Sequence, residues 1–234
     1  MTSLNLGSLF RGVDILTNRR RNEDKEKDEG KGKGEGKNEA KDEDKGIDKG
    51  KGRITASLLG NRLIVWDPSE GSELYRKGYY GKPVGIPKPK SPSFDVPLIL
   101  DAMEGLYLQE KGIIKVLDQL TGKTVSKRSL KKIASEFDEN FEDRYEVYKD
   151  LRERGYVVTS GIKFGCDFAV YKQGPGIDHA PFMIQVRRPE DRVSATDIVR
   201  AGRLATTVRK RFILAIRRPK LNRIDYLMFR WWKA

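Results

Sequence analysis

The stretch from Arg19 to Arg53 decides where this chain can and cannot fold. Its 35 positions hold 13 Lys or Arg, 11 Asp or Glu and 7 Gly, and its only aliphatic side chains are Ala40 and Ile47. Such a segment has too little apolar surface to offset the entropy of ordering its backbone, so disorder is expected. With the residues before it, it makes a disordered, charged, low-complexity amino-terminal extension over residues 1–52. Its charges nearly cancel, which suits a solvated spacer better than a nucleic-acid-binding tail. Folding is left to residues 53–234.

The pattern in those residues predicts two domains. ITASLLGNRLIVWDP reads as two short strands turning at Gly60-Asn61, and the Pro- and Gly-rich GYYGKPVGIPKPKSPSFDVP as a loop. LILDAMEGLYLQEKG sets Ile99, Ala102, Met103 and Leu106 at helical spacing, with Gly112 as the stop. SKRSLKKIASEF predicts a second helix, and residues 53–137 make a small α+β domain. Residues 138–234 open on a helix near Phe141, whose apolar stripe is Phe141, Tyr145, Tyr148 and Leu151, ended by Gly155. YVVT (156–159), CDFAVY (166–171), FMIQV (182–186), FILAI (212–216) and YLMF (226–229) read as strands. Ser194 caps a helix to about Arg209, with Asp197 as its capping-box partner and Ile198, Ala201, Ala205 and Val208 as its buried stripe. The class is α+β, a mixed sheet with flanking helices following the smaller domain.

Charge narrows the partner. The net charge is +13, and residues 187–234 carry 14 Lys or Arg against 4 Asp or Glu. A positive excess on a folded segment is the footprint of a polyanion, although a merely basic surface would look the same. Cys166 is the only cysteine, so an intrachain disulfide and a Cys-based zinc site are not expected. No apolar run approaches the ~18 residues of a membrane span. The start, MTSLNLGSLFRGV, lacks a signal-peptide pattern, and a soluble cytoplasmic protein is expected.

Three side chains could carry chemistry. His179 is the only histidine and follows GPGID, a loop between two strands. A lone loop histidine is most often only that, but imidazole is the side chain best suited to move protons near neutral pH. Tyr171 ends the strand leading into this loop, where a packing tyrosine would serve equally well. Strand alternation puts Asp167, Ala169 and Tyr171 on one face. Lys210 stands at a helix-to-strand junction, by default a solvated charge, and lies seven residues after Arg203. About two helical turns would point the two the same way.

Taken together, these blocks resemble the tRNA-intron endonucleases of archaeal type. The resemblance rests on Gly161, Lys163, Phe164, Gly165, Asp167, Phe168 and Tyr171, then His179, then Val208-Arg209-Lys210 before an apolar strand. YEVYKDLRERGYVV is similar to the helix and strand preceding the family motif, and EGLYLQEKGIIKV to its amino-terminal domain. The resemblance implies a restriction-endonuclease-like nuclease domain acting as a lyase on precursor tRNA. Splice sites in a bulge-helix-bulge would be cut without metal or other cofactor, to 2′,3′-cyclic phosphate and 5′-hydroxyl ends. It implies Tyr171 as base, His179 as acid, Lys210 as the cation offsetting charge on phosphate, and Arg203 and Arg230 as a clamp on a flipped-out base. In self-assembling members the loop between the last two strands is acidic and docks into a basic pocket of another subunit. Here that loop reads RRPKLNR (217–223), which implies a two-plus-two heterotetramer with a homologous structural subunit. A homodimer through YLMF is the simpler alternative.

Two rival functions remain. A metal-dependent nuclease could use Asp167 as its first carboxylate, but the next strand offers Gln185-Val186-Arg187 where an acid is needed. A non-catalytic structural or RNA-binding subunit of the same complex would keep the fold and lose the triad.

Overall fold

The structure is a computed structural model that describes Asp14–Leu16, residues 53–177, residues 180–207 and residues 210–228. The described residues belong to one compact unit. Residues 19–52, for which disorder is expected, lie outside the described residues. Asp14–Leu16 depart from the expected disorder and form a short strand, β1.

The first sheet comes from residues that alternate inward and outward. β2 (Ile54–Leu59) turns through Gly60, at φ 60°, into β3 (Arg62–Val65), as the pattern predicts. The glycine is needed there because its backbone is left-handed. A helix not read from the pattern, α1 (Pro68–Gly78), follows at once. Its signal was local: Asp67 accepts the N–H groups of Ser69 and Glu70, and Pro68 fills the first turn. After β4 (Lys82–Pro83), β5 (Leu98–Asp101) corrects the predicted helix at this point. LILD pairs with β3 and buries Leu98 and Leu100. The helix, α2 (Ala102–Glu110), starts only where Asp101 and Glu104 close a reciprocal capping box. β6 (Ile114–Asp118) and α3 (Lys127–Phe137, capped by Ser126) complete this half. The strand order is β4-β5-β3-β2-β6.

α4 (Phe141–Glu153) begins the second half and buries Phe141, Tyr145, Tyr148 and Leu151, the predicted stripe. Each such side chain contributes roughly 1.5–3 kcal/mol by leaving water. Then come β7 (Val157–Ser160), β8 (Phe168–Tyr171), β9 (Phe182–Arg187), α5 (Ala195–Thr207), β10 (Arg211–Arg218) and β11 (Arg223–Met228). The order is β1-β11-β10-β9-β8-β7, with β9 and β10 parallel across the α5 crossover. The capping box at α5 forms as read, Ser194 and Asp197 exchanging bonds of 3.1 Å each way. Its predicted stripe is corrected at Ile198, which is 46% exposed beside Val199 at 60%. Helical spacing locates a face but not what covers it. Val208 and Phe229 lie outside the described residues.

One hydrophobic core runs through both halves, with α2 and α4 meeting between the sheets. An aromatic file crosses it: Tyr80 on Tyr107 at 6.3 Å, Tyr107 on Tyr148 at 5.9 Å, and Tyr148 on Phe168 at 6.1 Å. Arg152, 7% exposed, ties the halves. It donates to Tyr148 Oη (3.0 Å), to the Gly78 carbonyl at the end of α1 (2.8 Å) and to the Val158 carbonyl in β7 (3.1 Å). Among the described residues no helix is long and apolar enough to cross a membrane.

Candidate active site

Alternation along the six-stranded sheet gives its two faces different partners. Phe168, Val170, Ile184, Val186, Ile213 and Ala215 join the main core, while Ala169, Met183, Phe212 and Leu214 build a smaller cluster with Cys166 and Ala180 on the other face. Phe164 and Tyr171 lean on this second cluster. Burial pushes the Cys166 thiol up to about 11, so it serves as packing rather than as a nucleophile.

The glycines of the motif have a local cause. Ile162–Phe164 form a single 3-10 turn, closed by Gly165 at φ 67°. A Cβ on Gly161 would stand 2.6 Å from Cys166 Sγ and 2.8 Å from the Cys166 carbonyl oxygen, so no larger residue fits. This tight turn carries the Phe164 ring to Lys210, whose Nζ lies 5.1 Å from the ring centroid. The same ammonium donates to the carbonyl of Ala180 at 2.8 Å. One residue on, the Arg211 N–H donates to the Pro181 carbonyl at 2.8 Å. The chain at Lys210 is thereby strapped to the segment that directly follows His179.

Three distant parts of the sequence thus converge: the turn and strand of Phe164 and Tyr171, the loop at Ala180, and Lys210. His179 itself lies outside the described residues, as does Arg230. Arg203 is exposed on α5. Lys210 is not part of the helix, so the two-turn spacing to Arg203 does not govern its direction; the Ala180 carbonyl does. The loop approaching His179 is supported from the first half of the fold. Gly174, at φ 145°, is buried so close to the Tyr79 ring that a Cβ would come within 2.3 Å of it.

Asp167 departs from expectation. It does not share a free face with Tyr171. Its carboxylate accepts from Gln185 Nε2 (2.6 Å) and the Val186 N–H (2.8 Å), and pairs with Arg144 of α4 at 3.1 Å. Arg144 also reaches Asp138 at 2.8 Å, so this acid belongs to a structural network that the alternation pattern did not reveal. Asp225 is also engaged. It is 6% exposed and holds Arg218 at 2.6 Å and Arg223 at 2.8 Å across the 217–223 turn.

Comparison with known families accounts for both halves. Residues 54–131 match the tRNA intron endonuclease N-terminal domain, and residues 141–226 match the tRNA intron endonuclease catalytic C-terminal domain. The chain belongs to the tRNA intron endonuclease family. The catalytic-domain match spans Phe164, Tyr171, Ala180 and Lys210, the residues that converge here. The chain is 49% identical over 180 residues to a tRNA-splicing endonuclease of Hyperthermus butylicus, covering 77% of this chain and 99% of the relative. It is 42% identical over 181 residues to one of Sulfolobus acidocaldarius and 38% over 181 residues to one of Saccharolobus islandicus, with the same coverage. Both family matches begin after residue 53, and the relatives are nearly fully covered while about a quarter of this chain is not. Neither family match reaches the charged extension.

Proposed function

We propose that this tRNA-intron lyase excises introns by metal-independent cleavage at splice sites in a bulge-helix-bulge. In the reaction the ribose 2′-oxygen attacks the adjacent phosphorus and its proton passes to a base. The bond to the 5′-oxygen breaks, and an acid protonates that oxygen. The products are a 2′,3′-cyclic phosphate and a 5′-hydroxyl. Tyr171 serves as base, His179 as acid, and Lys210 offsets the charge that builds on the phosphoryl oxygens. The observation that carries this reading is the bond from Lys210 Nζ to the Ala180 carbonyl, which ties the cation to the residue next to His179. Tyr171 packs on the same small cluster as Phe164, whose ring lies beside Lys210. Asp167, which a metal-dependent route could use as its first carboxylate, is engaged by Arg144, Gln185 and Val186. Arg203, with Arg230, grips a flipped-out base by stacking its guanidinium on the ring.

The two sheets divide the work, residues 53–137 supporting assembly and residues 138–234 carrying catalysis, and the chain works in the cytoplasm. It pairs as two copies with two copies of a homologous structural subunit. In the 217–223 turn the nearest acid, Asp225, is buried beneath Arg218 and Arg223, so the turn offers only positive charge to a basic pocket. Like charges brought together exclude a wrong partner. The test is cleavage of intron-bearing precursor tRNA in EDTA, with and without the partner, alongside end-group analysis and light scattering of the chain alone. Cyclic phosphate ends in EDTA are expected only with the partner. An absolute need for Mg²⁺, or an active homotetramer, would overturn the corresponding part.

A further inference from the structure

We propose that Phe164 is a positioning residue, its ring face holding the Lys210 ammonium where the phosphate must sit. The inference rests on the reading of Lys210 as the charge-offsetting cation. An ammonium has three N–H donors and a flexible four-carbon stem, so it must be restrained before it can act at a fixed point. The usual restraint is a carboxylate, which would also spend the charge the reaction needs. Among the described residues the two groups holding Nζ are uncharged: the Ala180 carbonyl at 2.8 Å and the Phe164 ring at 5.1 Å from its centroid. A ring face attracts a cation through its quadrupole, without bringing a counter-charge to compete with phosphate.

The ring is also built to stay in place. Phe164 sits in the 3-10 turn, where its N–H donates to the Gly161 carbonyl at 2.8 Å, and it packs on the small cluster that includes Ala180 and supports Tyr171. Gly161 and Gly165 matter because they allow a turn tight enough to put the ring beside Lys210. The phenylalanine in this glycine-flanked block thereby gains a role toward the reaction, where a turn alone would accept any apolar side chain.

The test compares single-turnover cleavage in two backgrounds, wild type and Lys210→Gln, in the assembled complex. Phe164→Leu keeps the apolar packing and removes the ring face. It should slow the wild-type background by roughly 3- to 30-fold, the size of a desolvated cation–π contact. In the Lys210→Gln background it should change the rate less than twofold, because the cation it restrains is gone. Phe164→Tyr should retain the rate. Equal losses in both backgrounds would mean the ring only supports the turn, and would overturn the proposal while leaving Lys210 its role. A Lys210→Gln complex that cuts at the wild-type rate would overturn both readings. If Phe164→Leu misfolds, fluorinated phenylalanines at position 164 decide the matter, since they drain the ring face while nearly preserving its shape. The rate should fall stepwise with added fluorine, and a flat series would refute the proposal.

Discussion

Replacing Arg152 with methionine should strip the fold of its main tie between the two halves. The guanidinium is 7% exposed and donates three hydrogen bonds, two of them to main-chain carbonyls in different halves, Gly78 and Val158. It also lies 4.4 Å from the Tyr80 ring centroid and 5.3 Å from that of Tyr148. Methionine can fill the space between the rings but satisfies none of the three acceptors. Hydrogen bonds from a charged donor contribute about 1.5–3 kcal/mol each, offset in part by relief of the buried charge. A net loss of about 3 kcal/mol follows, a large share of the 5–15 kcal/mol typical of a folded domain. Arg152 also holds down the charge cost of Glu104, whose carboxyl burial pushes up to about 7 even with the arginine near. Without it, the Glu104 carboxylate lacks that compensation at pH 8, whereas at pH 5 the group is protonated in either variant. The loss should therefore be larger at pH 8 than at pH 5. Urea unfolding followed by circular dichroism and tryptophan fluorescence at both pH values measures it. A loss under about 1 kcal/mol, or one equal at the two pH values, would refute the assignment of Arg152 as a charged tie.

Glu104 itself should make stability depend on pH. Its folded pKa is raised from 4.5 to about 7, first by burial and then by the charge of Asp101. Its contribution is therefore full below pH 4.5 and is lost as pH rises through about 7, a swing of order 3 kcal/mol that Glu104→Gln should flatten in an unfolding series across that range. His179→Ala should slow single-turnover cleavage by roughly 10²–10⁴-fold while precursor tRNA still binds, and a near wild-type rate would remove His179 from the mechanism. Arg203→Ala should slow cleavage more than Arg200→Ala on the same helix, because stacking on a base adds about 1–3 kcal/mol to a similar electrostatic loss. Equal effects in a side-by-side rate comparison would reduce α5 to a charged surface.

The catalytic half was legible because its signals are local. The Phe141–Leu151 stripe, the Ser194–Asp197 box and the alternation of FAVY each depend on residues a few positions apart. At three places where the structure differs from the pattern, the deciding partner is remote. Leu98–Asp101 carries helical spacing, but pairing with β3 some 35 residues earlier makes it a strand. Asp167 sits in step with Tyr171, yet Arg144 of α4 takes its carboxylate. Lys210 follows Arg203 by two turns, yet a carbonyl on another loop sets its direction. The start of α1 differs in kind, since its signal, Asp67 and Pro68, is local.

The inequality of the two hydrophobic clusters bears on how the enzyme responds to heat. The main core runs through both halves, whereas, among the described residues, the cluster on which Phe164 and Tyr171 rest has six buried members, two of them the alanines Ala169 and Ala180. Regions with few buried apolar contacts open at lower free energy than the fold as a whole. A face built on this cluster is expected to open as a patch of its own, without melting the sheet. Activity should fade several degrees below the unfolding transition and return on cooling, which paired activity and calorimetry scans would register. A temperature ceiling on RNA cleavage would then be set by Met183, Phe212 and Leu214, the larger buried side chains of that cluster.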